Sequence, residues 1–207
     1  MIGNLTQQLQ LLANKTAPGM TAIAAIMEGE DEALAGWVTA VKLTDGEPGK
    51  TVAALDWGGA SAQITFPVDS DFDGPKTTVV FNNVSYDVSA ESFICYGQAE
   101  SRKRHEARLV YQYLQKNNLT QEIPPKTLIV SNPCLPDLSN MTTTTISNVF
   151  ESPCTELMDR ELMKRIRSSD ANVSFTYDFD YNLCSELVYT QFDSETCEST
   201  WHALKGL

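Results

Sequence analysis

Two β-rich runs flank a glycine-containing turn within residues 51–66, TVAALDWGGASAQITF. The first run stops at Asp56, and the second resumes at Gln63. Paired glycines between two such runs predict a strand, a turn and a strand, because glycine reaches positive φ without a Cβ clash. The turn residues are Gly58, Gly59, Ala60 and Ser61.

Other periodic segments predict further helices and strands along the chain. We expect helices at residues 5–14, 33–43, 99–115, 155–168 and 183–192, and strands at residues 21–27, 77–81, 84–88 and 173–179. Residues 124–153 are rich in Pro, Ser, Asn and Thr and predict a long, crosslinked loop. This alternation indicates an α/β domain with surface excursions.

Two predictions concern which side chains face the core. In the helix at residues 155–168 we expect Leu157, Met158, Leu162 and Ile166 to point inward. In the helix at residues 99–115 the basic segment SRKRHEAR, with His105, is predicted to be a solvated face. The alternative is that this basic cluster attracts nucleotide phosphates.

The composition narrows the class of ligand. The 207 residues are 42% hydrophobic, which is typical of a globular protein, and carry a net charge of -12. This charge argues against binding to nucleic acid or to an anionic membrane, but it leaves a small phosphate ligand open. No apolar run reaches the roughly 18 to 20 residues that a membrane span needs.

The cysteines and sequons favour an oxidising compartment. Five cysteines occur with only two histidines and no CxxC pair, so a zinc site is not expected. Six N-x-S/T sequons and the scattered cysteines favour the secretory pathway and disulfides over chance. Residues 1–4 show no signal-peptide pattern, so we expect a piece of a longer protein. The sequons begin at Asn4, Asn14, Asn83, Asn118, Asn140 and Asn172.

The glycine turn has two interpretations from its residues alone. Small residues let backbone N–H groups approach an anion, and the Asp56 carboxylate at a strand end can meet a divalent cation. The simpler interpretation is a tight turn with Asp56 as its hydrogen-bonding flank.

Three segments resemble signatures of the apyrases, or ecto-nucleoside triphosphate diphosphohydrolases. LDWGGASAQITF at residues 55–66 resembles the fourth signature, LDLGGASTQITF, with departures at Trp57 and Ala62. EGEDEALAGWVT at residues 28–39 resembles the third, G-x-E-E-G-x-x-G-W-I-T, with Ala33 in place of a glycine. SFICYG at residues 92–97 resembles the fifth.

The resemblance implies an actin-like (RNase-H-like) α/β lobe with a mixed sheet and disulfide-tied loops, covering residues 1–207 as a single lobe. The crosslinked excursion would lie at about residues 120–200. Signatures of the other lobe have no counterpart here, so a first lobe is expected as a missing partner. The resemblance leaves membrane anchoring of a longer parent open.

The resemblance also implies a role for each matching residue in hydrolysing extracellular or luminal nucleoside tri- and diphosphates. Glu32 matches the general base, and Asp56 matches the carboxylate that holds Ca²⁺ or Mg²⁺ through water. Ser61 and Gln63 match the side chains that position the attacking water. Gly58, Gly59, Ala60 and Ser61 match the backbone cradle of the terminal phosphate. Gln98 replaces a basic residue that relatives often carry near the nucleotide.

For the cysteines, the resemblance suggests pairs Cys95 with Cys154 and Cys134 with Cys184, leaving Cys197 to pair beyond the chain or to lack a partner. Two alternatives to the hydrolase stay open. One is a non-catalytic lobe or binding module of the same fold. The other is a different actin-like phosphotransferase, such as a sugar kinase, against which the segment EGEDEALAGW argues.

Overall fold

The structure is a computed structural model that describes residues 2–44, 52–124, 126–135 and 143–190. Its elements alternate between helices and strands, as an α/β chain should. The helices are α1 Ile2–Thr16, α2 Gly29–Leu43, α3 Gln98–Lys116, α4 Ile146–Val149, α5 Arg160–Arg167 and α6 Tyr181–Tyr189. The strands are β1 Ala54–Trp57, β2 Ser61–Pro67, β3 Thr77–Phe81, β4 Val84–Ile94, β5 Thr127–Asn132, β6 Thr143–Thr145 and β7 Asn172–Tyr177.

The chain divides into two compact units. The first contains Met1–Asp56 and Ala62–Phe93, and the second contains Trp57–Ser61 and Ile94–Leu207. Residues 45–50 and Cys197, whose pairing the sequence left open, lie outside the described residues.

The first sheet has the strand order β1-β2-β4-β3. The predicted strands on either side of the glycine turn are therefore present and are hydrogen-bonded neighbours. Strands β3 and β4 pair antiparallel across Asn82 and Asn83, whose φ angles are 51° and 62°. Asparagine tolerates this left-handed region, so the predicted hairpin is confirmed and it extends the sheet.

One face of α2 packs on this sheet. Trp37, Val41 and Val88 are fully buried at the centre, with partly buried apolar residues around them. The Trp37 ring packs edge-on against Tyr86 with centroids 6.4 Å apart, and its Nε1 donates to the Val52 carbonyl at 2.7 Å. The indole of Trp37 therefore packs α2 against strand β4 and also donates a hydrogen bond to the segment just before β1.

The predicted strand at residues 21–27 is wrong. These residues have no regular structure, and Ile23, Ile26 and Met27 are exposed. Side chains of α1 take the place of a neighbouring strand: the Ala22 N–H donates to Gln10, and Thr6 exchanges hydrogen bonds with Ala24. An apolar, β-branched run signals strand only where another strand can pair with it.

The second sheet has the order β5-β7-β6, with β5 parallel and β6 antiparallel to β7. The prediction of a long loop over residues 124–153 is therefore wrong, because β5, β6 and α4 lie in it. Leu128 and Val130 are buried at alternate positions of β5. This period of two is in the sequence, but the flanking prolines and polar residues masked it.

Helix α5 is shorter than the predicted helix at residues 155–168. Asp159 caps it, since its Oδ1 accepts hydrogen bonds from the N–H groups of Glu161 and Leu162. Leu162 and Ile166 are buried as predicted. Met158 lies before the cap and is 94% exposed, so its predicted inward position is wrong.

The second unit has its own core and two disulfides. Buried apolar side chains of α3, α4, α5, β5 and β7 pack together, with Phe150 and Phe175 among the largest. Cys95 pairs with Cys154, and Cys134 pairs with Cys184, which confirms both expected pairs. In the described part of the chain, no helix is long and apolar enough to cross a membrane.

We expect replacement of both Cys134 and Cys184 by serine to lower the free energy of unfolding by about 2–5 kcal/mol. The disulfide joins residues 50 apart in sequence, and removing it restores conformational freedom to that loop in the unfolded chain. Urea unfolding measures the loss. Mass spectrometry after alkylation of free thiols should show that Cys95 and Cys154 remain paired. A loss below about 0.5 kcal/mol would contradict this expectation.

Candidate functional site

In the first unit, the side chains of Glu32, Gln63 and Ser92 meet. Gln63 lies on β2, is 2% exposed, and donates from Nε2 to Glu32 Oε2 at 3.1 Å. The same nitrogen lies 3.2 Å from Ser92 Oγ on β4. A buried amide that donates to a carboxylate fixes the position of that carboxylate. Gln63 therefore holds Glu32 against the sheet.

Glu32 is placed by the first turn of α2. Glu30 and Asp31 share this turn, where carboxylates complement the positive end of the helix dipole. The Glu32 residue is exposed, and among the described residues Gln63 is its only side-chain partner. A carboxylate held by one donor and otherwise open to solvent can accept a proton from a bound water molecule.

Ser92 is a residue of this cluster that the sequence analysis did not single out. A Cβ on Gly29 would lie 2.2 Å from Ser92 Oγ and 2.5 Å from its Cβ, so the start of α2 approaches β4 closely. Only glycine fits at position 29. Gly29 lies within the segment at residues 28–39 and Ser92 within the segment at residues 92–97, so both belong to signatures that the sequence already showed. Their contact, however, depends on the fold.

Asp56 lies on β1 and is exposed. Its carboxylate makes no hydrogen bond or ion pair with any described residue. The carboxylate is thus available to a hard cation, which prefers oxygen ligands and retains water molecules. Within residues 2–44, 52–124, 126–135 and 143–190, no three His, Cys, Asp or Glu side chains form a group that could hold a metal directly.

In the second unit, residues 58–61 form a tight loop, called here the glycine loop. The Gly58 N–H donates to the Ser61 carbonyl at 3.1 Å and closes the turn. Neither Gly58 nor Gly59 has the positive φ that the sequence suggested. Their reason for being glycine is therefore not a left-handed backbone.

Three carbonyls of the glycine loop, those of Gly58, Gly59 and Ala60, point toward the start of α3. Each of these three accepts at least one hydrogen bond from the backbone at residues 95–100. The bonds are Gln98 N to Gly58 O at 2.9 Å, Ala99 N and Glu100 N to Gly59 O at 3.0 and 3.2 Å, and Cys95 N and Gly97 N to Ala60 O at 2.9 and 3.3 Å.

This bonding orients the amides of the loop. In a planar trans peptide, the carbonyl of one residue and the N–H of the next point in opposite directions. The N–H groups of Gly59 and Ala60 therefore point away from α3. Both residues are exposed, and no described residue accepts a hydrogen bond from either N–H. Adjacent amides that face solvent on one side form a concavity suited to an anion.

The basic cluster of α3 is largely engaged with its own surroundings. Lys103 contacts Glu151 at 3.1 Å, and this hydrogen bond raises the pKa of Lys103 above its ordinary value. Arg102 pairs with Glu106 at 2.8 Å, and Arg104 lies 4.6 Å over the Tyr96 ring. These pairs favour the predicted solvated face over a phosphate site.

The prediction for His105 is wrong, because it is buried. Its Nε2 lies 3.0 Å from Asn132 Oδ1, and that oxygen also accepts from the Cys134 N–H at 3.0 Å. Since Oδ1 is the acceptor for both, His105 donates from Nε2. It thereby supports the end of β5 near the second disulfide. Its position four residues before Leu109 placed it on the inward face of α3.

Comparison with known proteins finds one matching family and several similar proteins that are named as ectonucleoside triphosphate diphosphohydrolases. Residues 2–207 match the model of the GDA1/CD39 (nucleoside phosphatase) family. Ectonucleoside triphosphate diphosphohydrolase 2 of Gallus gallus is 32% identical over 89% of this chain and 37% of its own. Ectonucleoside triphosphate diphosphohydrolase 3 of Homo sapiens is 31% identical over 84% of this chain and 33% of its own.

A solved structure is also similar. The nucleoside triphosphate hydrolase from Neospora caninum matches 65% of this chain and 27% of its own, at 21% identity and a TM-score of 0.41. The chain thus spans about a third of the length of the curated relatives it matches.

Proposed function

Because this chain belongs to the GDA1/CD39 (nucleoside phosphatase) family, we propose that it supplies catalytic residues for the hydrolysis of nucleoside tri- and diphosphates to orthophosphate. The mixed α/β architecture would be an actin-like lobe that acts with a second lobe. The two disulfides support an extracellular or luminal location, where the sequons would carry glycans.

The contact between Glu32 and Gln63 is the observation that carries the proposal. The two residues come from different signatures and lie on different elements, yet Gln63 Nε2 is 3.1 Å from Glu32 Oε2. A general base must be held in a fixed position, and a buried amide supplies that restraint. Glu32 would accept a proton from the attacking water, and Gln63 and Ser61 would orient that water.

A divalent cation would supply the remaining charge neutralisation when bound. Asp56 is the residue that would hold Ca²⁺ or Mg²⁺, through a coordinated water molecule, and its unpaired, exposed carboxylate fits that role. The outward amides of Gly59 and Ala60 would bind the terminal phosphate. Phosphoryl transfer to water needs chiefly this positioning and charge stabilisation, with no covalent intermediate on the protein.

A second candidate is a non-catalytic lobe or binding module of the same family. It is favoured by two departures from the signatures, Ala33 in place of a glycine and Gln98 in place of a basic residue. This candidate keeps the outward amides and Asp56 for binding a metal–nucleotide complex without turnover.

Phosphate release from ATP and from ADP tests both candidates. The 207-residue chain is assayed beside a longer polypeptide that joins it to a first lobe, with Ca²⁺ or Mg²⁺ and with a chelator. Metal-dependent release from both nucleotides by the longer polypeptide supports the hydrolase. Turnover by the 207 residues alone contradicts the binding module, and the absence of turnover from both polypeptides contradicts the hydrolase.

We expect Asp56→Asn to raise the metal concentration for half-maximal activity by about 10–100-fold, the usual effect of changing a group that holds a metal through its ligands. The measurement is a titration of phosphate release with Ca²⁺ and with Mg²⁺. Asp71→Asn is the matched control, since it removes one exposed carboxylate from the loop between β2 and β3. An Asp56→Asn titration that overlays that of Asp71→Asn would refute the assignment.

A further inference from the structure

We propose that residues 95–100, the junction between β4 and α3, position the glycine loop, and that Gly97 is the residue on which this depends. The inference rests on the proposed function and deepens it, because it explains how the loop's amides come to face a phosphate. The junction would not contact the nucleotide. Its residues act through the backbone of the loop.

The start of α3 lacks a side-chain cap. Its N-cap residue is Gly97, and no side chain accepts a hydrogen bond from the first turn. The first N–H groups of a helix have no partner within the helix, so another group must satisfy them. Here the carbonyls of Gly58 and Gly59 accept from Gln98, Ala99 and Glu100. The loop caps the helix, and the helix in turn fixes the direction of the loop's peptides.

This arrangement requires an unusually close approach at Gly97. A Cβ at this position would lie 2.5 Å from the Gly59 carbonyl carbon and 2.6 Å from the backbone N and C of Ala60. These are backbone atoms, which cannot rotate away as the end of a flexible side chain can. Gly97 has φ -66° and ψ 162°, which other residues adopt readily. Space, and not conformation, therefore requires glycine here.

A disulfide and several hydrogen bonds surround this contact. The Cys95 N–H donates to Ala60 O at 2.9 Å, and Cys95 is joined to Cys154. Ser152 accepts from the Cys154 N–H at 3.1 Å and donates to the Glu100 carboxylate. The Glu100 N–H donates a hydrogen bond to Gly59 O in the glycine loop. The disulfide and the Ser152–Glu100 hydrogen bond thus hold both ends of the junction.

Nuclear magnetic resonance of the 207-residue chain tests the inference, with inorganic phosphate as the probe at constant ionic strength. In the unmodified chain we expect the Gly59 and Ala60 amide resonances to shift with phosphate, and the Gln98, Ala99 and Glu100 amides to exchange slowly with solvent. Gly97→Ala should raise the phosphate concentration for half-maximal shift about tenfold or more, since misdirected amides lose hydrogen bonds to a charged ligand.

Gly36→Ala is the matched control. A Cβ on Gly36 meets no atom within 4 Å, so the same substitution within α2 should leave the phosphate titration unchanged. Gln98→Pro is a second test that does not depend on Gly97→Ala folding. Proline suits the first position of a helix but removes the N–H that Gly58 O accepts, so it should also weaken the phosphate response.

The outcomes separate this inference from the proposed function. A phosphate response that is unchanged in Gly97→Ala and Gln98→Pro overturns the positioning role and leaves the proposed function standing. Fast exchange of the three α3 amides in the unmodified chain overturns the positioning role without any variant. The absence of a phosphate response in the unmodified chain, with those amides protected, overturns the phosphate site of the loop and the positioning role with it, whereas the proposed hydrolysis is decided by phosphate release from the longer polypeptide.

Discussion

Glu32→Gln should lower kcat for phosphate release about 10²–10⁴-fold, with KM little changed, in the polypeptide that joins these residues to a first lobe. A glutamine at this position can still accept the hydrogen bond from Gln63 Nε2, so the arrangement seen at 3.1 Å is preserved. What is lost is the negative carboxylate that would accept the proton of water. Steady-state kinetics with ATP and ADP at saturating metal measure the change.

Glu30→Gln is the control for this substitution. Glu30 lies in the same first turn of α2, is exposed, and contributes the same charge to the start of the helix. If Glu32 acts through the helix dipole alone, both variants should show the same small effect. Full activity of Glu32→Gln would exclude Glu32 as the base, whereas loss in both variants would point to the field of the helix start.

Trp37→Ala should lower the free energy of unfolding by about 3–5 kcal/mol, the range found when a buried large aromatic side chain is removed. Trp37 is completely buried, and it has the largest volume of the fully buried side chains among the described residues. Its loss also leaves the Val52 carbonyl without the donor at 2.7 Å. For a chain of this length, each kcal/mol corresponds to roughly 2–4 °C in Tm.

Trp57→Ala is the matched control for Trp37→Ala, because it removes the same residue type from an exposed position. Trp57 is 58% exposed, and its Nε1 donates to the Tyr96 carbonyl at 2.9 Å. Its loss should cost about 1 kcal/mol, the net value of one hydrogen bond. Urea unfolding followed by far-ultraviolet circular dichroism compares the two variants. Equal losses of unfolding free energy in the two variants would contradict the expectation that the difference in burial sets the cost.

The sequence predicted the first sheet well because its signals are local. The glycine turn, the Asn82–Asn83 hairpin and the helix predicted at residues 33–43 depend on residues within a few positions of one another. The predictions for residues 21–27 and 124–153 are wrong for a shared reason. An apolar run becomes a strand only if a partner strand lies beside it, and a polar segment can enter a sheet if its alternate residues are buried.

In the candidate site, too, some features follow from short sequence motifs and others depend on tertiary packing. The resemblance pointed to Glu32, Gln63 and Asp56 from short motifs, but it did not identify Ser92 or Gly97. Ser92 matters because it meets Gln63 Nε2 at 3.2 Å, and Gly97 matters because its backbone touches the glycine loop. Both roles depend on which elements pack together. No spacing along one segment encodes them.

The amino-acid sequence by itself determined the family signatures and, through the resemblance, both disulfide pairs, because these depend on residue identity and order. The tertiary structure decided the burial of His105, the first-unit contact between Glu32 and Gln63, and the direction of the amides in the glycine loop. Peptide direction follows from which groups accept the hydrogen bonds of α3, and those acceptors come from about 40 residues earlier in the chain.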